Sequence, residues 1–322
     1  MFTRFVIVLL LVTFQLNPLA GPQSAAAETV RHRLLTADSS SGRVAVIDEA
    51  GQTEWEMKIG PLHDLHMLDN GHVLLQTDWT TVVEVDPQTD EIVWQYDSAG
   101  SGGNEGKQIE VHAFQRLDNG HTMIAESGVS RIIEVNSEGH IVNSIPLTVT
   151  RADAHRDTRL VRQLDNGNLL VCHEGEAVVR EYSPQGEIVW EYNVPLFDRP
   201  RADGHGPEAF GNQCFAAIRL PNGNTLLTTG NGHSILEVTH DKQLVWKLEQ
   251  SDLPEIELAW ITTLQLLPNG NIVFGNCHAG PDNPQVVEVT RDKQVVWTFH
   301  DFQRFGNSLT NTQILSTNGK KL

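Results

Sequence analysis

Fourteen histidines stand out in this 322-residue chain, because imidazole is the side chain that most readily serves as nucleophile, proton carrier or metal ligand near neutral pH. Eight of them, His63, His66, His112, His155, His173, His205, His233 and His278, fall at comparable places relative to a recurring turn. Near them stand Arg159 and the aromatic residues Phe215 and Trp260. Imidazoles and a guanidinium beside aromatic rings suit a small ligand that carries an anionic group and a ring. His63, His112 and Arg159 are the candidate catalytic groups. His66, His155, His173, His205, His233, Trp260 and His278 are the candidate substrate-binding groups.

The elements that position them are read from Asn-Gly dipeptides at Asn70, Asn119, Asn166, Asn222, Asn269 and Asn318, spaced by about 49 residues. Asn-Gly between apolar runs marks a hairpin, and a two-residue type I′ turn with positive φ at both positions is expected at each. A third strand follows, as in Val82-Val-Glu-Val85 or Ile235-Leu-Glu-Val238, and then a fourth, as in Glu91-Ile-Val-Trp94 or Gln243-Leu-Val-Trp246. Four short strands per repeat describe a propeller blade. Thr310 to Gly319 supplies a first strand, and His32 to Lys58 the three strands it lacks. The fold class is therefore all-β, a six-bladed β-propeller of four-stranded blades closed by N- and C-terminal strands sharing one blade, over residues 28–322.

In such a ring the first strands line the channel. Seven residues before each turn Asn stand His63, His112, Arg159, Phe215, Thr262 and Asn311, a row expected at one mouth. Three residues further along come His66, Gln115, Arg162, Ile218, Gln265 and Ile314. His173, His233 and His278 are placed in loops between second and third strands at the same end. His205 lies in Pro195 to Gln213, a long inter-blade segment expected to be a lid, a specificity loop or a passive insertion. His72, His121, His140 and His240 belong to the opposite face.

Composition narrows the partners. With 23 basic and 41 acidic residues the net charge is −18, which excludes a basic face for nucleic acid or anionic lipid. Residues 1–27 read as a secretory signal peptide: Arg4, an apolar run Phe5 to Phe14, then Ala25-Ala-Ala27. That run is too short to span a bilayer, and a periplasmic or secreted monomer without a membrane span is expected. The three cysteines cannot all pair, so at least one thiol stays free. No H-x-x-x-H, C-x-x-C or acidic calcium loop marks a metal site. A zinc or copper ion held by several imidazoles is conceivable, and no cofactor is singled out.

The text Leu-[Asp/Pro]-Asn-Gly-[Asn/His], followed by a Glu-Val strand and Val-Trp, resembles the bacterial PQQ-like propellers and most closely the arylsulfotransferase-like six-bladed ones. His63-Asp64 and Val111-His112-Ala113 look like that family's entries to first strands. The resemblance implies sulfuryl transfer through a channel histidine, with a small-molecule substrate. Two other functions are carried alongside: a non-catalytic propeller that docks an envelope protein or glycan, and, ranked last, a quinone-dependent dehydrogenase.

Overall fold

The computed structural model describes residues 1–2 and 29–322; the expected leader therefore lies outside the described residues except for Met1 and Phe2. Six antiparallel sheets follow one another along the chain. Blade one runs from Leu65 to Asp97, blade two from Glu110 to Pro146, blade three from Val161 to Asn193, blade four from Ala217 to Glu249 and blade five from Trp260 to Phe299, each with four strands. Blade six takes Leu309–Thr317 from the C-terminus and His32–Asp38, Arg43–Ile47 and Thr53–Lys58 from the N-terminus, with the two-residue strand Lys320–Lys321 added beside Leu309–Thr317. The seam is antiparallel, from His32 opposite Thr317 to Asp38 opposite Leu309. No helix among the described residues is long and apolar enough to cross a membrane.

The apolar core lies between neighbouring blades. Leu35, Val44, Val46 and Trp55 of blade six pack against Val73, Leu75, Val83 and Val85 of blade one, all buried. Each such side chain contributes roughly 1.5–3 kcal/mol relative to exposure, so ring closure is what makes a thin four-stranded blade stable.

The turns differ from the expected type. In the first five repeats only the glycine has positive φ, for example Gly71 at 86°, and its amide donates to Leu68 O at 2.9 Å. Each is a three-residue loop, a type I turn closed by a left-handed glycine. The reason is the side chains around it. Asn70 Oδ1 accepts the His72 amide, and Asn70 Nδ2 and His72 Nδ1 both reach Glu84 of the third strand, the latter at 2.7 Å. Only Asn318-Gly319 has positive φ at both positions, 47° and 76°, and it joins a two-residue hairpin at the chain end.

The repeated glutamate has a second role. Arg116 bonds Glu84 at 2.7 Å and lies over Trp94, and Arg219 and Arg291 repeat the arrangement with Glu181 and Trp190 and with Glu237 and Trp246. At the seam His32 takes the place of arginine, bonding Glu288 at 2.7 Å and meeting Trp297 edge-on. The Glu-Val and Val-Trp motifs thus rivet one blade to the next.

Candidate functional site at the channel mouth

The six-residue row converges. His63 and His112 stack with ring centroids 4.5 Å apart. Phe215 meets His63 edge-on at 5.9 Å, and Asn311 Nδ2 donates to His63 O at 3.1 Å. His112 sits in a bulge between Val111 and Ala113, which breaks the ladder of blade two at this point. His155, from the loop ahead of blade three, lies 5.5 Å from His112, and Trp79 borders His63, His112 and His155.

Polar partners set the state of each ring. His112 is fully buried, with Nε2 2.9 Å from Glu110 Oε2 and Nδ1 against Arg159 Nη1. Arginine only donates, so Nδ1 must accept, and the proton of His112 resides on Nε2. Arg159 also donates to His155 O and forms a buried ion pair with Glu174, whose other oxygen accepts from Gln213 Nε2 at 3.1 Å. Burial pushes the Glu174 carboxyl up and the Arg159 guanidinium down, against their mutual attraction. Burial, then Arg159, holds both His63 and His112 well below the ordinary imidazole range, so both rings are neutral at pH 7. Among the described residues, none is a hydrogen-bond partner to the buried His63 Nδ1.

A cavity of about 760 Å³ opens over this cluster, lined by His63, Trp79, His155 and Arg159 on one side and His205 and Trp260 on the other. His205 comes from the long inter-blade segment, which an Ala202 to Phe210 bridge closes into a loop. It stacks on Trp260 at 5.1 Å and lies 5.4 Å from His278. His278 Nδ1 contacts Cys277 Sγ at 2.9 Å, and Nε2 is 3.4 Å from Ser308 Oγ. All three cysteines are buried free thiols.

Several expected site residues lie elsewhere. His112 does not reach the cavity and has both nitrogens engaged, so it positions its neighbours and is not an attacking group. His66 sits deeper in the channel, 2.7 Å from Phe114 O and beside Asp64. Asp64 is fully buried, is clamped by Arg162 at 2.7 and 2.9 Å, and is driven far below the usual carboxylate range by Arg162 and His66 despite its desolvation. His173 ends a strand inside blade three between Asp157 O and Tyr182 Oη, while the next residue, Glu174, reaches the cavity, because neighbours on a strand point to opposite faces. His233 is buried beside Phe210 and lines a separate pocket with Arg199 and Pro207.

Glu110, Glu174 and Trp79 are not among the sequence candidates. Glu110 stands two residues before His112, a spacing that places both on one strand face and was the available signal. Trp79 and Glu174 lie in loops whose direction no periodicity reports.

Burial holds His173 at about 4, against an ordinary imidazole value of 6.5. Its folded value is depressed, so the stability it supplies is complete above pH 6.5 and is lost as pH falls from there toward 4, about 3 kcal/mol in all. Thermal unfolding of wild type and His173→Gln from pH 7 to 4 should show a steeper fall for wild type; parallel curves would contradict this.

Glu110, His112 and His155 bring three potential metal-ligand atoms within 4.8 Å of one another. They do not fit a metal as they stand. Arg159 occupies the one acceptor nitrogen of His112, so its Nε2 carries a proton and offers no lone pair.

The molecule is thus a six-bladed propeller with a buried, charged cluster opening into a cavity at a channel mouth. The PQQ_2 family model, described as outer membrane protein assembly factor BamB, matches residues 40–299, and the chain belongs to that family. No curated protein matches the sequence. Among solved structures, a protein of unknown function from Bacteroides caccae aligns with TM-score 0.71 at 20% identity, over 88% of this chain and 98% of that one. A streptogramin B lyase aligns with TM-score 0.56 at 12% identity over 88% and 85%. A catalytically inactive virginiamycin B lyase from Staphylococcus aureus with quinupristin aligns with TM-score 0.56 at 10% identity over 86% of each chain. At these identities the likeness is one of fold.

Proposed function

We propose that this chain is an exported propeller enzyme of arylsulfotransferase-like type, transferring a sulfuryl group between phenolic oxygens through His63. The observation that carries the reading is a neutral imidazole on the wall of a 760 Å³ cavity, flanked by Trp79 and Phe215, which offer faces and edges to a ring. A neutral imidazole has a lone pair to donate and is a competent leaving group. In the first half-reaction that pair forms an N–S bond as the S–O bond to the aryl oxygen breaks and its electron pair leaves with that oxygen. In the second, an acceptor phenol oxygen attacks sulfur and the N–S pair returns to His63. Arg159 lines the cavity, and among the described residues its Nη2 has no hydrogen-bond partner, so it is placed to meet a sulfuryl oxygen. The test is release of phenol from phenyl sulfate that rises with a second phenol as acceptor, together with a mass increase of one sulfuryl group on the peptide carrying His63. The absence of both phenol release and a labelled peptide would sink the reading.

Family membership favours a second reading, a non-catalytic propeller that docks an envelope protein or glycan. It requires that channel-mouth substitutions leave partner capture unchanged.

A further inference from the structure

We infer that His155 is the proton carrier of this site, held in its working tautomer by Glu110. This rests on the transfer reading above only for the identity of the reaction. His155 Nδ1 lies 2.7 Å from Glu110 Oε2, and the carboxylate accepts there, so the ring proton is on Nδ1 and the Nε2 lone pair is free. The His155 side chain is half exposed and lines the cavity 6.0 Å from His63.

Glu110 is itself fixed. The same Oε2 accepts from His112 Nε2 at 2.9 Å, His112 is held by Arg159, and Arg159 is held by Glu174. A chain of buried groups from blades two and three thus aims one carboxylate oxygen at one exposed imidazole. The arrangement orients a base through a third group. His63 and His112 cannot take this role: both are buried and kept neutral, and His112 has no free nitrogen.

The protons balance. In the first half-reaction the His155 imidazolium gives its Nε2 proton to the departing aryl oxygen, producing phenol and neutral His155. In the second, the acceptor phenol O–H proton passes to Nε2 as its oxygen attacks sulfur, and the imidazolium is restored.

The charged and titratable groups that face His155 are Glu110 and His112 from blade two, Asp153, Arg156 and Arg159 from its own loop, Glu174 from blade three, and His63 at the entry to blade one. Among these carboxylates, Glu110 alone touches the imidazole ring; Asp153 Oδ1 accepts the His155 amide. Glu110→Gln, whose amide can donate as well as accept, should therefore loosen the hold on the Nδ1 tautomer of His155.

The first measurement is ¹⁵N–¹H correlation of the histidine rings in the full chain. It should place the His155 proton on Nδ1 in its neutral form, with the Nε2–H tautomer gaining population in Glu110→Gln. A proton on Nε2, or tautomer populations unchanged in Glu110→Gln, overturns the inference whether or not the protein turns over a sulfate ester. The second compares leaving groups. His155→Ala should lose about 10²- to 10⁴-fold in kcat/KM on phenyl sulfate, whose phenolate needs a proton, and far less on 4-nitrophenyl sulfate. Equal losses on both esters would mark His155 as structural and overturn the proposal. Wild-type protein inactive on both esters would remove the transfer reading, and the ring-proton measurement would then decide the His155–Glu110 pair alone. A stoichiometric Zn²⁺ ion retained on Glu110, His112 and His155 would also overturn it, since the Nδ1 proton would be displaced.

Discussion

His63→Gln should lower kcat/KM for phenyl sulfate on the order of 10³-fold or more while leaving the thermal midpoint within a few degrees of wild type. Glutamine keeps a polar planar group of similar reach but has no lone pair able to form an N–S intermediate. The fold should tolerate it, since the His63 ring makes no hydrogen bond through its buried Nδ1, and the bonds its backbone donates to Gln76 Oε1 and accepts from Asn311 Nδ2 do not depend on the side chain. The readout is steady-state kinetics beside a melting curve. Wild-type kinetics in His63→Gln would remove the nucleophile from the site, and a collapse in stability would make His63 a packing residue. His112→Gln makes the informative comparison: this group does not reach the cavity, and it holds Glu110 in place. Its loss should act through His155 and appear mainly on phenyl sulfate rather than on 4-nitrophenyl sulfate.

Arg159→Met should destabilise the protein by about 3–5 kcal/mol, the cost of leaving a buried carboxylate without its partner. The Arg159 and Glu174 side chains are 4% and 2% exposed, so water does not screen the charge that remains. Glu174 is already pushed up by burial and would become protonated more readily once the guanidinium is gone. The double variant Arg159→Met with Glu174→Met should recover most of the loss, because two apolar side chains replace a desolvated ion pair at little net cost. Urea unfolding of the single and double variants measures both. A double variant no more stable than Arg159→Met would mean that the cost lies in the bonds to His112 and His155 O, not in the buried charge.

These two expectations concern neighbours on one rim row, yet they have different physical characters. His63 is a poorly partnered ring on a cavity wall, where loss of function need not cost stability. Arg159 is bonded to three residues drawn from two blades and a loop, where its loss costs stability before function is reached. Substitutions of the deeper Asp64–Arg162 pair belong with Arg159, since Asp64 also accepts from Phe114 N and Asn311 Nδ2 and ties blades two, three and six to the entry of blade one inside the channel.

Much of this was legible in the residues. The spacing of Asn-Gly turns determined six four-stranded blades and the shared closing blade, because a blade cannot bury its faces alone and the repeat length is that of one blade. Counting seven residues back from each turn located His63, His112, Arg159, Phe215, Thr262 and Asn311 at one level of the channel, since distance along a strand is set by residue number. What the count does not contain is partnership across blades. Only the tertiary structure decided that the turns close through side chains to Glu84 and its equivalents, and that a bulge draws His112 behind His63. It alone determined that Glu174 and not His173 faces the cavity, and that His205 stacks on Trp260 at the mouth. The physical reason is the same in each case. Spacing along a strand is local and survives in sequence, whereas the side a side chain faces after a bulge or loop, and the proton it then carries, depend on donors and acceptors supplied by other blades.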